Sequence, residues 1–275
     1  MPATKADMVM PPDWVKRHDH FTEIGSTSTH LAQLWRSGEI SWAETPIVIS
    51  ADRQTSGRGR GENRWFSDQK SLTFTLGIRP ESYGLALADV IPVGLLSACC
   101  MIESMVALWP SLGGQIGIRW PNDIECDHGK IGGVLPECII QDERGMLLLV
   151  GIGVNVGTDL SQSPADARLI GCSIPSLIDQ ADVGECKPTL LLDDFLSRFP
   201  VHLKHLANPA SQWVTEALKY DRLNGQRIEA RQGMQSISGI ALGWDETGHL
   251  LVRTDHHSLE KISSGQILRN LPPTY

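Results

Sequence analysis

The chain has 275 residues, 41% hydrophobic and 20% charged, with a formal net charge of −8. That composition supports a real apolar core in one large domain, or in a large domain with a small companion. An acidic balance argues against a general nucleic-acid binder, whose footprint is basic, so a basic loop in such a chain fits a small anionic ligand better than a polyanion.

Residues 1 to about 15 read as a loose arm, and Met1 to Asp13 lacks the apolar segment of a secretory leader. Ser26, Thr27 and Ser28 then offer N-cap hydroxyls to a helix that carries Leu31, Leu34 and Trp35 at i, i+3, i+4. A cap needs one hydroxyl. Three in a row at a helix start, among orphan N–H groups, also suit a polar ligand.

The densest signal is Gln54-Thr-Ser-Gly-Arg-Gly-Arg-Gly-Glu-Asn-Arg-Trp65, in which Gly57, Gly59 and Gly61 alternate with Arg58 and Arg60. Alternate glycines permit positive φ, so successive N–H groups can turn toward an anion. Arginine forks grip carboxylate or phosphate bidentately, and Trp65 offers an apolar or stacking wall. Gly-Arg repeats also occur in disordered nucleic-acid-binding tails and in plain surface loops. Here the stretch is short and flanked by strand-like runs, Pro46–Ala51 and Ser71–Ile78, the second placing Leu72, Phe74, Leu76 and Ile78 on one face.

A long helix is expected from about Leu85 to Trp109, starting or kinking near Pro92. Its apolar run from Val93 is too short for a membrane span and carries Glu103, so it reads as a buried helix. Ile116–Asp123 reads as a short strand entering a turn, because Pro121 cannot continue a central strand and Asn122-Asp123 are turn residues. An Arg and a Trp directly before that turn exceed what a surface turn needs. Gly129-Lys-Ile-Gly-Gly opens an apolar strand; Cys138–Gln141, a turn at 143–145 and Met146–Val156 form a hairpin. Gly151-Ile-Gly-Val-Asn-Val-Gly157 has the wrong spacing for a dinucleotide fingerprint and no helix directly after it, and the chain carries no Gly-x4-Gly-Lys phosphate loop.

Residues 158–188 mix turns with a short helix around Ile174 to Ile178. Leu190–Phe199 is amphipathic, with Pro200 ending or kinking it, and a further helix is expected near Ser211–Lys219. From Leu223 short strands (Gln226–Ala230, Gln235–Ala241, His249–Arg253, Glu260–Ile262) alternate with turns, as in a small β-barrel. The six cysteines lack metal spacing and read as reduced thiols, which implies a cytoplasmic protein. His18 with His20, His202 with His205, and His256 with His257 read as solvated surface residues rather than a zinc site.

Taken in order, these blocks resemble the biotin protein ligases, in the form without an N-terminal DNA-binding domain. The blocks are Ser26-Thr27, the Gly57-Arg-Gly-Arg-Gly loop with Trp65, Trp120-Pro-Asn-Asp123, and Gly129-Lys-Ile-Gly-Gly with Gly151-Ile-Gly-Val-Asn155. Ser264-Gly-Gln-Ile-Leu resembles part of the family's SH3-like C-terminal cap. The resemblance implies an α+β fold: a class II synthetase-like catalytic domain with a central mixed sheet flanked by helices, and a small SH3-like barrel. The boundaries are 1–19 for the arm, 20–221 for the catalytic domain and 222–275 for the C-terminal domain.

The implied activity is a two-step adenylation, biotin plus ATP giving biotinyl-5′-AMP, then transfer to a lysine of a biotin carboxyl carrier protein or domain. Ser26, Thr27, Ser28, Gln54, Thr55, Arg58, Gly59, Arg60, Gly61, Arg119 and Gly133 would bind biotin. Arg58, Arg60, Trp65, Asn122, Lys130, Gly132 and Asn155 would bind the nucleotide. Arg60, Arg119 and Asp123 would act at the reaction centre, Asp123 touching Mg²⁺; no structural metal, DNA or membrane is expected, and a homodimer is left open. Arg119 stands where the family usually has lysine, and an arginine there is longer and planar. Two alternatives follow: a lipoate or octanoate ligase or transferase of the same fold, and a weakly active biotin-binding regulatory protein.

Overall fold

The computed structural model describes residues 11–141, 145–164, 171–178, 186–208 and 212–270. β1 (Arg17–Ile24) leads into α1 (Thr27–Ser37), then β2 (Ile47–Gln54), the short strands β3 (Gly57–Arg58) and β4 (Arg64–Trp65), and β5 (Leu72–Ile78). The long helix α2 (Val90–Leu108) follows, then β6 (Gly117–Arg119), β7 (Asp123–Cys126), β8 (Gly129–Gln141) and β9 (Gly145–Val154). Helices α3 (Pro188–Ala207) and α4 (Trp213–Ala217) precede β10 (Arg227–Gln232), β11 (Gln235–Trp244), β12 (Leu250–Thr254), β13 (Leu259–Ile262) and β14 (Gln266–Asn270).

Seven strands form a sheet in the order β1-β2-β5-β9-β8-β7-β6, with β1 and β2 parallel and the other neighbours antiparallel. Helices cover both faces. On one, Leu31 and Trp35 of α1 pack on Ile47, Ile49, Leu147 and Leu149; on the other, α2 and α3 pack on Val48, Phe74, Leu148 and Val150. This explains why every residue of β5 is buried, although its sequence alternates apolar with threonine and glycine. The helix Leu87–Leu108 is long and apolar enough to cross a membrane, yet 72% of its apolar window is buried in the fold, as a core helix requires.

The C-terminal strands make a five-stranded antiparallel sheet, β13-β12-β11-β10-β14. Among the described residues no ladder joins β13 to β14, so the expected barrel is met here as a sheet. Ile228, Trp244 and Leu250 share one hydrophobic core with α2 and α3, and Trp120 Nε1 donates to Gly248 O at 2.9 Å.

Four expectations need correction. The arm is not loose from residue 11 onward: Val15 is buried, Lys16 N–H donates to Pro46 O, and β1 begins at Arg17. Pro200 neither ends nor splits its helix, which runs on to Ala207. The missing proline N–H leaves Leu196 O without its partner one turn on. Trp14 Nε1 fills that vacancy at 2.9 Å.

The histidine pairs are also not all solvated. His18 Nε2 and His20 Nδ1 both meet Ser50 Oγ, at 2.7 and 2.9 Å, and burial pushes His18 down to about 4. His202 Nε2 sits 3.0 Å from Glu103. Finally, β14 was not anticipated as a strand. The expected turn at 143–145 falls largely outside the described residues.

Candidate active site

One cleft of about 1120 Å³ opens where the carboxyl end of β2, the start of α1, the β3–β4 hairpin and the glycine-rich parts of β8 and β9 converge. Its far wall comes from the C-terminal sheet, through Arg231, Gly233, Gly265 and Gln266. All the expected site residues line it except Gly132. Gly132 serves the strand pairing instead, since a Cβ there would stand 2.8 Å from Gly153 O.

At the inner end lies a hydroxyl pocket. Ser26 caps α1, its Oγ accepting from Thr29 N–H, and leaves Thr27 and Ser28 buried at the helix start. Thr27 N–H and Thr27 Oγ1–H both donate to Gln54 Oε1, at 2.8 and 3.1 Å. Thr75, fully buried on β5, touches both Thr27 Oγ1 and Ser28 Oγ at 2.8 Å. Sequence reasoning missed Thr75. Its only signal was a threonine alternating with the apolar residues of β5, on the face that meets α1.

The Gly-Arg loop forms a tight hairpin. Of its three glycines only Gly61 adopts positive φ, at 64°. Gly57 supplies space instead, because a Cβ there would lie 2.4 Å from Trp65 O. Gly59 N–H donates to Asn63 O at 2.8 Å, so that amide is committed inside the hairpin rather than offered to an anion. Of the expected cradle of loop amides, the Gly59 N–H is thus spent within the ribbon. Arg58 is held bidentately by Glu137, at 2.7 and 3.0 Å, and Arg60 Nη1 donates to Gly265 O across the cleft. Burial lowers the Arg60 guanidinium and Asp123 opposes that shift; the side chain stays cationic.

Trp65 lies against Gly153 of β9, where a Cβ would come within 2.4 Å of the indole ring. Lys130 Nζ stands 5.7 Å from the ring centroid and 2.5 Å from Asp123 Oδ1. The β6–β7 hairpin carries Arg119 3.7 Å from Glu125, whose carboxyl burial pushes up while Arg119 pulls it down. Asn122 Nδ2 donates to Val134 O, and Asn155 Nδ2 to Lys130 O and Cys172 O. Those two amides brace the backbone around the cleft. Thr55 N–H is likewise bound, to Ile24 O.

Among the described residues no group of three or more His, Cys, Asp or Glu side chains is placed to hold a metal ion. Asp123, expected to touch Mg²⁺, is paired through Oδ1 with Lys130 Nζ, and one carboxylate together with substrate phosphates is the usual way such an ion is held. What remains is a cleft with a polar, buried end, a cationic middle and an aromatic floor. Such a cleft can hold two anions close together and offset their repulsion.

The model of the biotin/lipoate A/B protein ligase family matches residues 21–155, and that of the biotin protein ligase C terminal domain matches residues 224–269. The bifunctional ligase/repressor BirA of Bacillus subtilis (strain 168) is 30% identical over 256 residues, 91% of this chain and 72% of that protein. Its counterpart in Bacillus spizizenii is 30% identical over 226 residues, 80% of this chain and 65% of that one. The chain thus spans about two thirds of the length of these relatives. The biotin protein ligase from Aquifex aeolicus, solved in complex with biotin and ATP, has the same fold. It aligns with a TM-score of 0.73 at 23% identity, over 93% of this chain and 100% of that one.

Proposed function

The chain belongs to the biotin protein ligase family, and from that premise we propose that it is an ATP-dependent ligase that joins biotin to a lysine of a carboxylase carrier domain. The observation that carries this reading is a single cleft in which the hydroxyl pocket, the Arg58–Arg60 hairpin and the Lys130–Asp123 pair face one another.

In the first step a biotin carboxylate oxygen attacks the α-phosphorus of ATP. The P–O bond to the β-phosphate breaks, and pyrophosphate leaves with the electron pair. Two anions must meet, so the barrier is dominated by repulsion and by charge growing on the phosphoryl oxygens. Arg60, Arg119 and Lys130 supply the offsetting charge, with Asp123 orienting Lys130. Arg58 joins them from the lip, where Glu137 fixes its direction. Trp65, laid on Gly153, gives the adenylate an aromatic floor. Holding both reactants in one pocket supplies much of the remaining acceleration.

In the second step the neutral amine of the carrier lysine attacks the acyl carbon. The bond to AMP breaks, AMP leaves, and the amide nitrogen loses its proton to solvent. Ser26, Thr27, Ser28 and Gln54 hold the ring end of biotin away from this chemistry, and Thr55, Gly59, Gly61 and Gly133 shape the path between. Arg119 keeps the positive charge of the family's usual lysine in a planar fork that also reaches toward Glu125.

Pyrophosphate release from ATP, measured with biotin, lipoate and octanoate in parallel and followed by labelling of a carrier domain, tests the reading. Release specific to biotin with carrier labelling is expected. Release with lipoate or octanoate instead would transfer the assignment to that acid. Biotin binding without release would identify a binding protein.

A further inference from the structure

The hydroxyl pocket has a fixed hydrogen-bond polarity that can be followed bond by bond. It starts at Thr27 N–H, a backbone group that can only donate, 2.8 Å from the Gln54 side chain. That contact requires the carbonyl oxygen of Gln54 on this side and its amide nitrogen on the other. Thr27 Oγ1 faces the same carbonyl oxygen at 3.1 Å, so the one hydrogen of that hydroxyl points to Gln54. In the bond between Thr27 and Thr75 the hydrogen must therefore come from Thr75. With its hydrogen so committed, Thr75 can only accept from Ser28. Ser28 then turns toward the cleft with lone pairs and no hydrogen.

We infer that Thr75 is a positioning residue for ligand selection: it forces Ser28 to face the ligand as an acceptor while Gln54 Nε2 faces it as a donor. A ligand matching both must carry an N–H and a carbonyl close together at the end remote from its carboxylate, as a cyclic urea does. A dithiolane ring or an alkyl terminus has neither group. This inference rests on the proposed function and deepens it, giving the reason why lipoate and octanoate are rejected.

Thr75 is suited to act through Ser28 rather than on the ligand. It is completely buried and lies outside the cleft lining, opposite Gly151 in the β5–β9 register. Gly151 in turn keeps the approach to Ser28 open, since a Cβ there would stand 2.8 Å from Ser28 Oγ. A site built to bond polar groups rejects ligands lacking them strongly, because its own buried groups are left unpaired.

The test compares wild type with Thr75→Val and Thr75→Ser. It measures KM and kcat for biotin in pyrophosphate release, binding of biotin and of octanoate by calorimetry, and thermal melting as a check of folding. Valine keeps the shape and removes the hydroxyl, so Ser28 loses its acceptor. The expected result is a KM for biotin about tenfold higher in Thr75→Val, with kcat within threefold and octanoate binding unchanged. Thr75→Ser should stay within threefold of wild type throughout.

Equal loss of biotin and octanoate binding in Thr75→Val would mark a merely structural residue and overturn the inference. So would an unchanged KM for biotin. No biotin-dependent release from wild type would instead overturn the proposed function, before either variant is compared.

Discussion

At the scale of single residues, the cleft depends on where a Cβ is missing as much as on which side chains are present. Trp65 reaches its place only because Gly153 carries no side chain. Gly153→Ala should push the indole off the cleft floor while leaving the β8–β9 ladder intact. The expected outcome is a rise in KM for ATP of at least tenfold with little change in KM for biotin, read by steady-state kinetics with each substrate varied in turn.

Asp221 gives a second residue-level expectation, of opposite kind. Burial pushes its carboxyl above the usual aspartate range, up to about 6, despite the donated N–H of Leu223 at 2.9 Å. The folded state therefore binds the proton more tightly than the unfolded one. Stability contributed here falls as pH rises from about 4 through 6, and the charged group remains a penalty above that. Asp221→Asn removes the charge and keeps the acceptor for Leu223. It should raise stability at pH 8 by about 1–2 kcal/mol and by about half as much at pH 5, measured by urea unfolding.

At the scale of elements, helix α3 and the arm before β1 are one unit. Pro200 and Trp14 compensate each other through Leu196 O. Trp14→Phe should cost about 1 kcal/mol, because a carbonyl loses its partner while the ring packing on Phe199 persists. In a Pro200→Ala background the alanine N–H can bond Leu196 O, so the same change should cost measurably less. A double-mutant cycle by urea unfolding checks this, and strict additivity would argue against the coupling.

The same elements show what the sequence does and does not disclose. Strands β2, β5, β8 and β9 and helices α1 and α2 announce themselves by apolar periodicity and glycine placement. β1 does not, because its run Arg17-His-Asp-His-Phe is polar and it is held at the sheet edge by pairing with β2. The passage of α3 through Pro200 depends on a tryptophan 182 residues away. The cleft residues were legible as motifs, but Thr75 and Glu137 were not. Each acts by long-range contact and has no neighbouring pattern to mark it.

At the scale of the whole molecule, the cleft is a joint between two sheets. The hydroxyl pocket lies entirely within the seven-stranded sheet and α1, whereas the outer wall, with Arg231 and the Gly265 carbonyl that receives Arg60, belongs to the C-terminal sheet. The two sheets are tied by a shared core and by the bond from Trp120 to Gly248 O, directly before the Asn122-Asp123 turn. Loosening that tie should therefore affect the two ends of the cleft unequally. Trp120→Phe keeps most of the ring packing but leaves a buried carbonyl unpaired, at a cost of about 1–3 kcal/mol. With Gly265 and Arg231 less firmly placed, Arg60 loses its brace, and KM for ATP should rise several-fold more than KM for biotin. Steady-state kinetics alongside urea unfolding measure both consequences on one variant. An equal rise for the two substrates would mean that the C-terminal sheet supports the fold as a whole and takes no separate part in the nucleotide end of the cleft.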